Sequence, residues 1–259
     1  MDKTPRDPSS HSDLVRRLIH HLEAHTNGHT ATQRKFLQTV LSINVIACRF
    51  DDYTAQHQER VAILALVTGR CLGLSAGSLT GVFLGALVHD LGKIAIPREL
   101  LNKPGRLSRE ESALIRTHVP IGCEIMAHIA PPWPLQSIIA QHHERLDGSG
   151  YPHGLTHESI EIEPRIVAAC DVFEALCDDR PYRKALGVQG ALDELKRGSG
   201  KTLDADVVAA LDSLARRNRA STDLFWAQVA LEAFEALSSP APAANYRRAR
   251  AARHAIPAG

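Results

Sequence analysis

The sequence predicts an all-α protein, a bundle of helices with a metal site in its core, on three observations. Aliphatic side chains and alanine dominate a hydrophobic content of 44%, whereas aromatic residues contribute only 5%, which favours packed helices over strands. Apolar residues recur at helical spacing along most of the chain, and no strand-type alternation competes with them. Histidine and aspartate interrupt apolar segments that should be buried, a pattern typical of a metal site between helices.

A leading helix is predicted near the N-terminus, where Leu14, Leu18 and Leu22 lie at four-residue spacing. Asn27-Gly28 separates this helix from the rest of the chain, so we assign residues 1–32 to an N-terminal helical extension. The helix either mediates a homodimer contact or covers one face of the core. The sequence favours neither alternative.

Helix follows helix in the remainder of the chain. Gly92 is a candidate C-terminal cap, Ser108 and Glu111 have the spacing of a capping box, and Pro164 suits the first position of a helix. The expected helices run over 36–50, 57–72, 78–91, from 108 through His118, 134–143, from 164 through Asp171, 204–216 and 222–237. The expected organisation is a main domain over 33–217, a C-terminal helix over 218–237, and a disordered tail rich in Ala, Pro and Arg over 238–259.

Composition excludes several classes of protein. The net charge of +1 gives no sign of a nucleic-acid-binding protein. No apolar segment reaches the roughly 18 residues of a membrane span, and the N-terminus lacks the apolar core of a signal peptide. The five cysteines are widely spaced without a CxxC pair, which argues against a disulfide framework and a zinc ribbon. We therefore expect a cytoplasmic protein that binds neither nucleic acid nor membrane.

Two apolar segments carry polar side chains where burial is expected. Residues 81–88 are apolar on all sides, as in a buried helix, and lead directly into His89-Asp90. Asp171 is the one charged residue within 166–173. A buried carboxylate requires a partner or a metal, and imidazole with carboxylate is a suitable donor set for a hydrolytic divalent metal. We predict a cation between these helices.

Other histidines at helix-sized intervals complete the candidate ligand set: His57, His118 and the pair His142-His143. Each has an ordinary alternative, because a lone histidine is more often a hydrogen-bonded or surface side chain, and Asp171 could be a buried ion-pair partner. Adjacent residues on a helix point about 100° apart. The side chains of His89-Asp90, and likewise those of His142-His143, can therefore bind one ion only if that ion lies beyond a helix end, between two elements.

The motifs, taken in order, resemble those of the HD-GYP domain, a branch of the HD phosphohydrolase superfamily. The resemblance covers residues 35–215 and rests on Asp52–Val61, His89-Asp90-Leu91-Gly92-Lys93-Ile94, Leu101-Asn102-Lys103-Pro104-Gly105, His142-His143-Glu144, Gly150-Tyr151-Pro152, Asp171–Leu176 and Arg180-Pro181-Tyr182-Arg183. A single His-Asp pair would be a weak signal, whereas this ordered series is specific. It identifies the main domain, 33–217, as an HD-GYP domain with an HD-type helical bundle.

The resemblance implies an enzyme that hydrolyses cyclic di-GMP, a bacterial second messenger, to pGpG, GMP or both, through a hydroxide that bridges two metals. The two divalent ions, iron or manganese, would be bound by His57, His89, Asp90, His118, His142, His143 and Asp171. Asp90 would bridge them and, with Lys93, form the catalytic pair. The implied substrate-binding residues are Lys93, Gly150, Tyr151, Pro152, Arg180 and Arg183. Tyr53 stands where some family members have a third-metal glutamate, so two metals are expected.

Alternatives stay open at this point. The chain could be an HD phosphohydrolase acting on another nucleotide, or a receptor or adaptor that binds cyclic di-GMP or a diguanylate cyclase without turnover. A diguanylate cyclase (GGDEF) protein is a candidate partner in either case. By spacing alone Arg180 and Arg183 are more often surface arginines, and only the resemblance favours phosphate contacts.

Overall fold

A computed structural model describes residues 9–25, 30–50, 52–179, 184–217 and 221–238. Within these ranges the chain forms α-helices and two short 3₁₀ segments and contains no β-strand, which confirms the predicted all-α class. The helices are α1 (Ser9–His25), α2 (Ala31–Phe50), α3 (Asp52–Cys71), α4 (Ala76–Val88), α5 (Arg98–Leu101), α6 (Arg109–Arg116), α7 (His118–Ile129), α8 (Leu135–Gln141), α9 (Ile162–Cys177), α10 (Gly187–Gly198), α11 (Ala205–Arg217) and α12 (Thr222–Ser238).

The centre of the bundle is the pair α3 and α4. The last ten residues of α4 are all buried, as its uniformly apolar sequence predicts. α3 packs along α4 and also contacts α9 and α12. α8 approaches α4 closely at Gly85, where an added Cβ would lie 2.4 Å from Cδ1 of Ile138. This packing brings the C-terminal ends of α4 and α8 together in the core.

The chain leaves α4 through a tight turn. His89 is the C-cap of α4, and a 3₁₀ segment, Leu91–Ala95, follows Asp90. Gly92 is therefore not the helix cap that the sequence predicted. It lies in the 3₁₀ segment against α7, where a Cβ would come within 1.9 Å of the carbonyl oxygen of His118. Glycine is needed here for close backbone approach, which brings His118 beside the His-Asp turn.

The helix predicted from Ser108 through His118 is in fact two helices. The capping box is present, since the Ser108 hydroxyl accepts from the Glu111 amide and the Glu111 carboxylate accepts from the Ser108 amide. α6 then ends before Thr117, and His118 is the first residue of α7. The change of direction aims His118 into the core instead of along the exposed face of α6.

Two further differences concern α9 and α10. α9 begins at Ile162, so Pro164 is its third residue rather than its first. α10 was not predicted, because Gly187, Gly190 and Gly198 lower the helix propensity of this stretch. Its buried residues Ala191, Leu192 and Leu195 show that tertiary packing stabilises it.

Helices α1 and α12 cover one side of the bundle. Leu18 and Leu22 of α1 are buried within the chain, so the predicted leucine face covers the core. A homodimer would therefore need another surface of α1. Among the described residues, no helix has both the length and the hydropathy to cross a bilayer. Of the predicted tail over 238–259, Ser238 ends α12, and the remainder lies outside the described ranges, as do the first eight residues.

Candidate metal centre

The candidate ligands come from five helices and the turns that end them. His57 lies in α3, His89 and Asp90 follow α4, His118 begins α7, His142 and His143 follow α8, and Asp171 lies in α9. Their donor atoms form two groups, and within each group the atoms lie within 4.8 Å of one another. One group is Asp90, His118, His142 and His143; the other is His57, His89 and Asp90. Asp90 belongs to both groups.

Asp171, the seventh predicted ligand, lies beside the second group. Its Oδ1 is 3.0 Å from Nε2 of His57. It is not a member of either donor group, although the negative charge of its carboxylate faces the same cluster of imidazoles. The structure thus brings all seven predicted side chains to one place, six of them within the two groups.

Backbone carbonyls orient three of the histidines. In each of His89, His118 and His142, Nδ1 lies 2.7–2.9 Å from the carbonyl oxygen of the residue three positions earlier. Because a carbonyl oxygen can only accept, Nδ1 carries the proton in each ring. Nε2 of each ring is therefore left with a lone pair, the state required of a metal ligand.

These lone pairs point at one another across a buried space. Nε2 of His118 is 3.3 Å from Oδ1 of Asp90, and Nε2 of His89 is 3.4 Å from Oδ2. The three Nε2 atoms and Oδ1 of Asp90 are buried and have no hydrogen-bond partner among the described residues. An unsatisfied buried acceptor costs about 1–3 kcal/mol, and facing acceptors repel. Divalent cations bound at the two donor groups would satisfy these four atoms, so the donor set fits metal ions.

Burial and charge keep the site in its metal-binding protonation state. Burial disfavours the Asp90 carboxylate, but the ammonium of Lys93, 2.5 Å away, and the neighbouring imidazoles hold its pKa well below the usual range. Burial, followed by the adjacent His143, lowers the pKa of His142 well below 6.5, and burial lowers the pKa of His143 to about 3. The carboxylate is ionised and both imidazoles are neutral at pH 7.

His57 lies in a different electrostatic environment. Its Nδ1 contacts the carboxylate of Glu174, and its Nε2 faces Asp171. Burial lowers its pKa, but the two carboxylates, Glu174 above all, outweigh burial and raise it to about 9. A cation at Nε2 would replace a proton, because both bind the same lone pair.

The loop Gly150-Tyr151-Pro152 lies against the histidine pair. The ring of Tyr151 stacks on His143, with centroids 4.5 Å apart and planes 26° apart. A Cβ on Gly150 would lie 2.4 Å from Cα of Glu144, so glycine allows this approach. Burial, together with the charges of the nearby aspartates, raises the pKa of Tyr151, whose hydroxyl therefore stays protonated. The guanidinium of Arg116 lies over the same ring, 4.6 Å from its centroid.

Four charged residues to which the sequence assigned no role support the site. Glu144 is buried and accepts from the amides of His153 and Leu155, which holds the loop in place. Glu174 and Arg60 pair beneath His57. Arg116 contacts Tyr151. Glu174 and Arg60 each had a weak sequence signal, since they follow the predicted ligands Asp171 and His57 by three residues on the same helix.

Three predicted positions have no described side chain. Arg180 and Arg183 lie outside the described residues, directly after α9. The side chain of Tyr53 is also not described, although its backbone lies within α3.

Fold and site together define an all-α protein with two His/Asp donor groups that share one aspartate. A family model of the HD domain matches residues 16–207, and the chain belongs to the HD domain family. The site and its motifs thus lie within the matched region.

Curated relatives match 61–70% of the chain. The cyclic di-GMP phosphodiesterase response regulator RpfG of Xanthomonas campestris is 40% identical over 163 residues, 62% of this chain and 43% of that protein. A cyclic di-GMP phosphodiesterase of Thermotoga maritima is 39% identical over 184 residues, 70% of this chain and 50% of that protein. The 3'3'-cGAMP-specific phosphodiesterase 3 of Vibrio cholerae is 35% identical over 159 residues, 61% of this chain and 35% of that protein. The matches thus span half or less of these relatives' length.

Two solved structures share the fold. Bd1817, an HDG"Y"P protein from Bdellovibrio bacteriovorus, has a TM-score of 0.57 at 19% identity and covers 83% of this chain and 75% of its own. The cyclic GMP-AMP specific phosphodiesterase V-cGAP3 of V. cholerae has a TM-score of 0.54 at 18% identity and covers 77% and 59%. At these identities the likeness establishes the helical HD fold, as predicted, and not the substrate.

Proposed function

We propose that this chain is a metal-dependent phosphodiesterase that hydrolyses cyclic di-GMP to pGpG, GMP or both. The observation that carries the proposal is the position of Asp90, which belongs to both donor groups and lies among buried acceptors that have no hydrogen-bond partner in the described part of the chain. One carboxylate shared between two donor groups suits a pair of cations acting on one phosphate.

We propose seven ligands for these cations: His57, His89, Asp90, His118, His142, His143 and Asp171. A set of nitrogen and oxygen donors without thiolate favours iron or manganese over metals that prefer sulfur. Such cations, when bound, lower the pKa of coordinated water towards about 7 and polarise phosphoryl oxygens. This chemistry would be shielded by burial, since His89, His118 and His142 are 0% exposed.

Lys93 is the proposed catalytic partner of Asp90. Its Nζ lies 2.5 Å from Oδ2 of Asp90, and its side chain is 25% exposed, whereas that of Asp90 is 2% exposed. The ammonium thus lies between the buried centre and solvent, on the side from which a phosphodiester must approach. From there it can donate to a phosphoryl oxygen or to the leaving ribose oxygen.

The loop and the arginines would hold the rest of the substrate. Tyr151 presents a protonated hydroxyl beside the centre, and the lack of a side chain at Gly150 lets the loop, which includes Pro152, lie against it. Because His143 stacks on the Tyr151 ring and the Arg116 guanidinium also lies over it, we propose the hydroxyl, and not the ring, as the contact of Tyr151 with the substrate. We propose Arg180 and Arg183 as ligands of phosphate oxygens, because guanidinium matches phosphate in a bidentate manner.

A cyclic dinucleotide is the substrate class we propose, and cyclic di-GMP is the first candidate because two of the relatives described above carry that name. Hydrolysis of 3'3'-cGAMP is the second candidate, since the V. cholerae relative is named for it. A diguanylate cyclase (GGDEF) partner and a homodimer are further proposals. No contact surface for either is evident among the described residues.

The test uses the full chain purified without oxygen. Its metal content is measured, and the protein is incubated with cyclic di-GMP, 3'3'-cGAMP, cyclic di-AMP and deoxynucleoside triphosphates, with separation of the products by chromatography. We expect about two metals per chain and release of pGpG or GMP from cyclic di-GMP, abolished by a chelator and restored by iron or manganese. Tight binding of cyclic di-GMP by fully metallated protein without any product would instead establish a receptor.

A further inference from the structure

We propose that Glu174 is a positioning residue, held in place by Arg60, that makes the two metal positions unequal by controlling the one to which His57 belongs. The inference rests on the proposed function only in treating His57, His89 and Asp90 as ligands of one cation. It concerns how that cation is held, not which substrate is cleaved.

The contacts of Glu174 define its role. Its side chain is 1% exposed, one carboxylate oxygen contacts Nδ1 of His57, and the other accepts from Nε of Arg60 at 2.5 Å. A carboxylate can only accept in this contact, so Nδ1 of His57 must carry a proton. Nε2, the atom that faces Asp171, then carries the lone pair when the ring is neutral and the second proton when the ring is charged. Glu174 thus fixes both the tautomer and the direction of the ring.

His57 differs in this respect from the three histidines whose Nδ1 donates to a backbone carbonyl. His89, His118 and His142 donate Nδ1–H to neutral backbone carbonyls within their own turns. An imidazole whose Nδ1–H is bound by a carboxylate is a stronger metal ligand than one whose Nδ1–H is bound by a carbonyl. Partners of this kind affect metal affinity by about 10–100-fold. Removing the carboxylate should therefore weaken the His57 position while leaving the His118–His142–His143 position largely unchanged.

Arg60 supplies the charge that keeps Glu174 in the core. A buried carboxylate without a counter-charge is strongly destabilising. Arg60 reaches Glu174 through Nε and Asp178 through Nη2, at 2.5 Å each, so its guanidinium is held at two points. Because Arg60 lies one turn after His57 on α3, it also ties the ligand helix to α9.

The C-terminal helix completes this arrangement. Trp226 of α12 lies over the Arg60 guanidinium, 6.0 Å from ring centroid to Cζ, and is itself buried. α12 lies beyond residues 16–207 that match the family model. A helix outside the matched region therefore shields the ion pair that supports a proposed ligand.

The experiment compares Glu174→Gln with Asp204→Asn in the full chain. Asp204 forms the matched control, since it is also a buried carboxylate paired with an arginine, Arg165 at 3.0 Å, while its other oxygen accepts from the backbone amides of Asp206 and Val207 at the start of α11. Manganese is titrated into metal-free protein and its stoichiometry and affinities are measured, without substrate. In Glu174→Gln we expect one of two manganese affinities to fall about 10–100-fold, and in Asp204→Asn both to stay at wild-type values.

A result in which Glu174→Gln binds both ions with wild-type affinity would overturn the proposal. So would an equal loss at both positions, or the same loss in Asp204→Asn, since either would indicate a general loss of structure. If Glu174→Gln fails to fold, Glu174→Asp decides the question, since it keeps a negative charge for Arg60 but shortens the side chain that contacts Nδ1 of His57. It should weaken the same position by about tenfold, and unchanged binding would overturn the proposal.

These outcomes are independent of the proposed function. A wild-type protein that binds two ions and cleaves no cyclic dinucleotide would refute the proposed function, yet the selective loss in Glu174→Gln could still be observed. A wild-type protein that cleaves cyclic di-GMP, with both ions retained by Glu174→Gln, would refute only the role of Glu174.

Discussion

Nζ of Lys93 lies 2.5 Å from Oδ2 of Asp90, while Oδ1 of the same carboxylate faces the Nε2 atoms of His118 and His142. One oxygen of Asp90 thus contacts a cationic side chain, and the other has no hydrogen-bond partner among the described residues. The two residues are three positions apart, and the 3₁₀ segment that begins at Leu91 makes their contact local. Mutation of Asp90 should therefore remove metal binding together with catalysis, whereas mutation of Lys93 should affect catalysis alone.

Asp90→Ala should lose both metals and hydrolysis but keep a folded helical bundle. The shared carboxylate would be gone, whereas the core around it is apolar and dominated by α3 and α4. Loss of metal chemistry amounts to several kcal/mol of transition-state stabilisation, about 10³-fold or more in rate. Metal analysis, circular dichroism and turnover of cyclic di-GMP check this prediction. Full turnover by the purified variant would refute the proposed mechanism.

Lys93→Met should reduce kcat while retaining both metals. Lys93 is the counter-ion of Asp90, a role in which bound cations could replace it. They could not replace the contact with phosphate that we propose for Lys93. A general acid or charge-stabilising donor contributes about 10²–10⁴-fold. The metal content and kcat of the variant are measured on the same preparation. Loss of the metals along with kcat would assign Lys93 to metal binding instead.

Gly150→Ala should destabilise the loop and raise KM. The new Cβ would lie 2.4 Å from Cα of Glu144 and 2.5 Å from the carbonyl oxygen of His143, both backbone atoms that cannot move aside alone. Strain of this kind costs about 1–3 kcal/mol. Denaturant unfolding and KM for cyclic di-GMP are the measurements.

Gly77→Ala is the control for Gly150→Ala. Gly77 lies in the first turn of α4, where an added Cβ meets nothing within 4 Å. Alanine there should be neutral or stabilise by up to about 1 kcal/mol. Equal changes in the free energy of unfolding and in KM for the two substitutions would show that strain in the loop does not cause them.

Three of the seven candidate ligands, His89, Asp90 and Asp171, could be predicted from their apolar surroundings, whereas the other four were candidates through their spacing and the resemblance of their motifs. Asp171 is a charge in an apolar helix, and His89-Asp90 follows ten buried residues. Glu174 could not be predicted as a support in the same way, since its role depends on α3 lying against α9, a contact between residues 117 positions apart. Local sequence patterns predict which residues are buried, but they do not predict which buried residues contact one another.

The turn into α7 was missed for a related reason. No proline or glycine separates Arg116, Thr117 and His118, so periodicity predicts one continuous helix. The break coincides with the close contact between Gly92 and the carbonyl oxygen of His118, which is tertiary. Conversely, the capping box at Ser108 was predicted correctly because all of its contacts lie within four residues.

Arg183→Ala should raise KM for cyclic di-GMP more than it lowers kcat. An arginine that holds a non-reacting phosphate oxygen binds ground state and transition state about equally. Loss of one such charge-assisted contact corresponds to about 1.5–3 kcal/mol, or roughly 10–100-fold in KM. Arg197→Ala is the control, because Arg197 is exposed on α10 and pairs with Glu194. Unchanged KM in Arg183→Ala would remove this residue from the substrate site.

The metal-free protein should lose stability as the pH rises from about 6.5 to 9. The pKa of His57 is raised to about 9 in the folded protein because burial, which lowers it, is outweighed by Glu174 and Asp171. A folded-state pKa above the unfolded value of about 6.5 means that protonated His57 stabilises the fold below pH 6.5, and that this contribution disappears as the pH passes through 9. The total is on the order of 3 kcal/mol.

The histidines with lowered pKa values oppose this trend only at the lower end of the window. His118, His142 and His143 have folded-state pKa values below 6.5, so near pH 6.5 only the unfolded chain still loses their protons, whereas above about pH 7.5 these side chains are neutral in both states and His57 alone sets the slope. Urea unfolding of chelator-treated protein between pH 6 and 10 measures the slope, and His57→Asn should abolish it. Manganese should flatten the slope in the wild type, because the cation replaces the proton on Nε2. If the metal-free wild type showed no slope, the pKa of His57 would not be raised in the folded protein. If the slope persisted in His57→Asn, another group would be titrating.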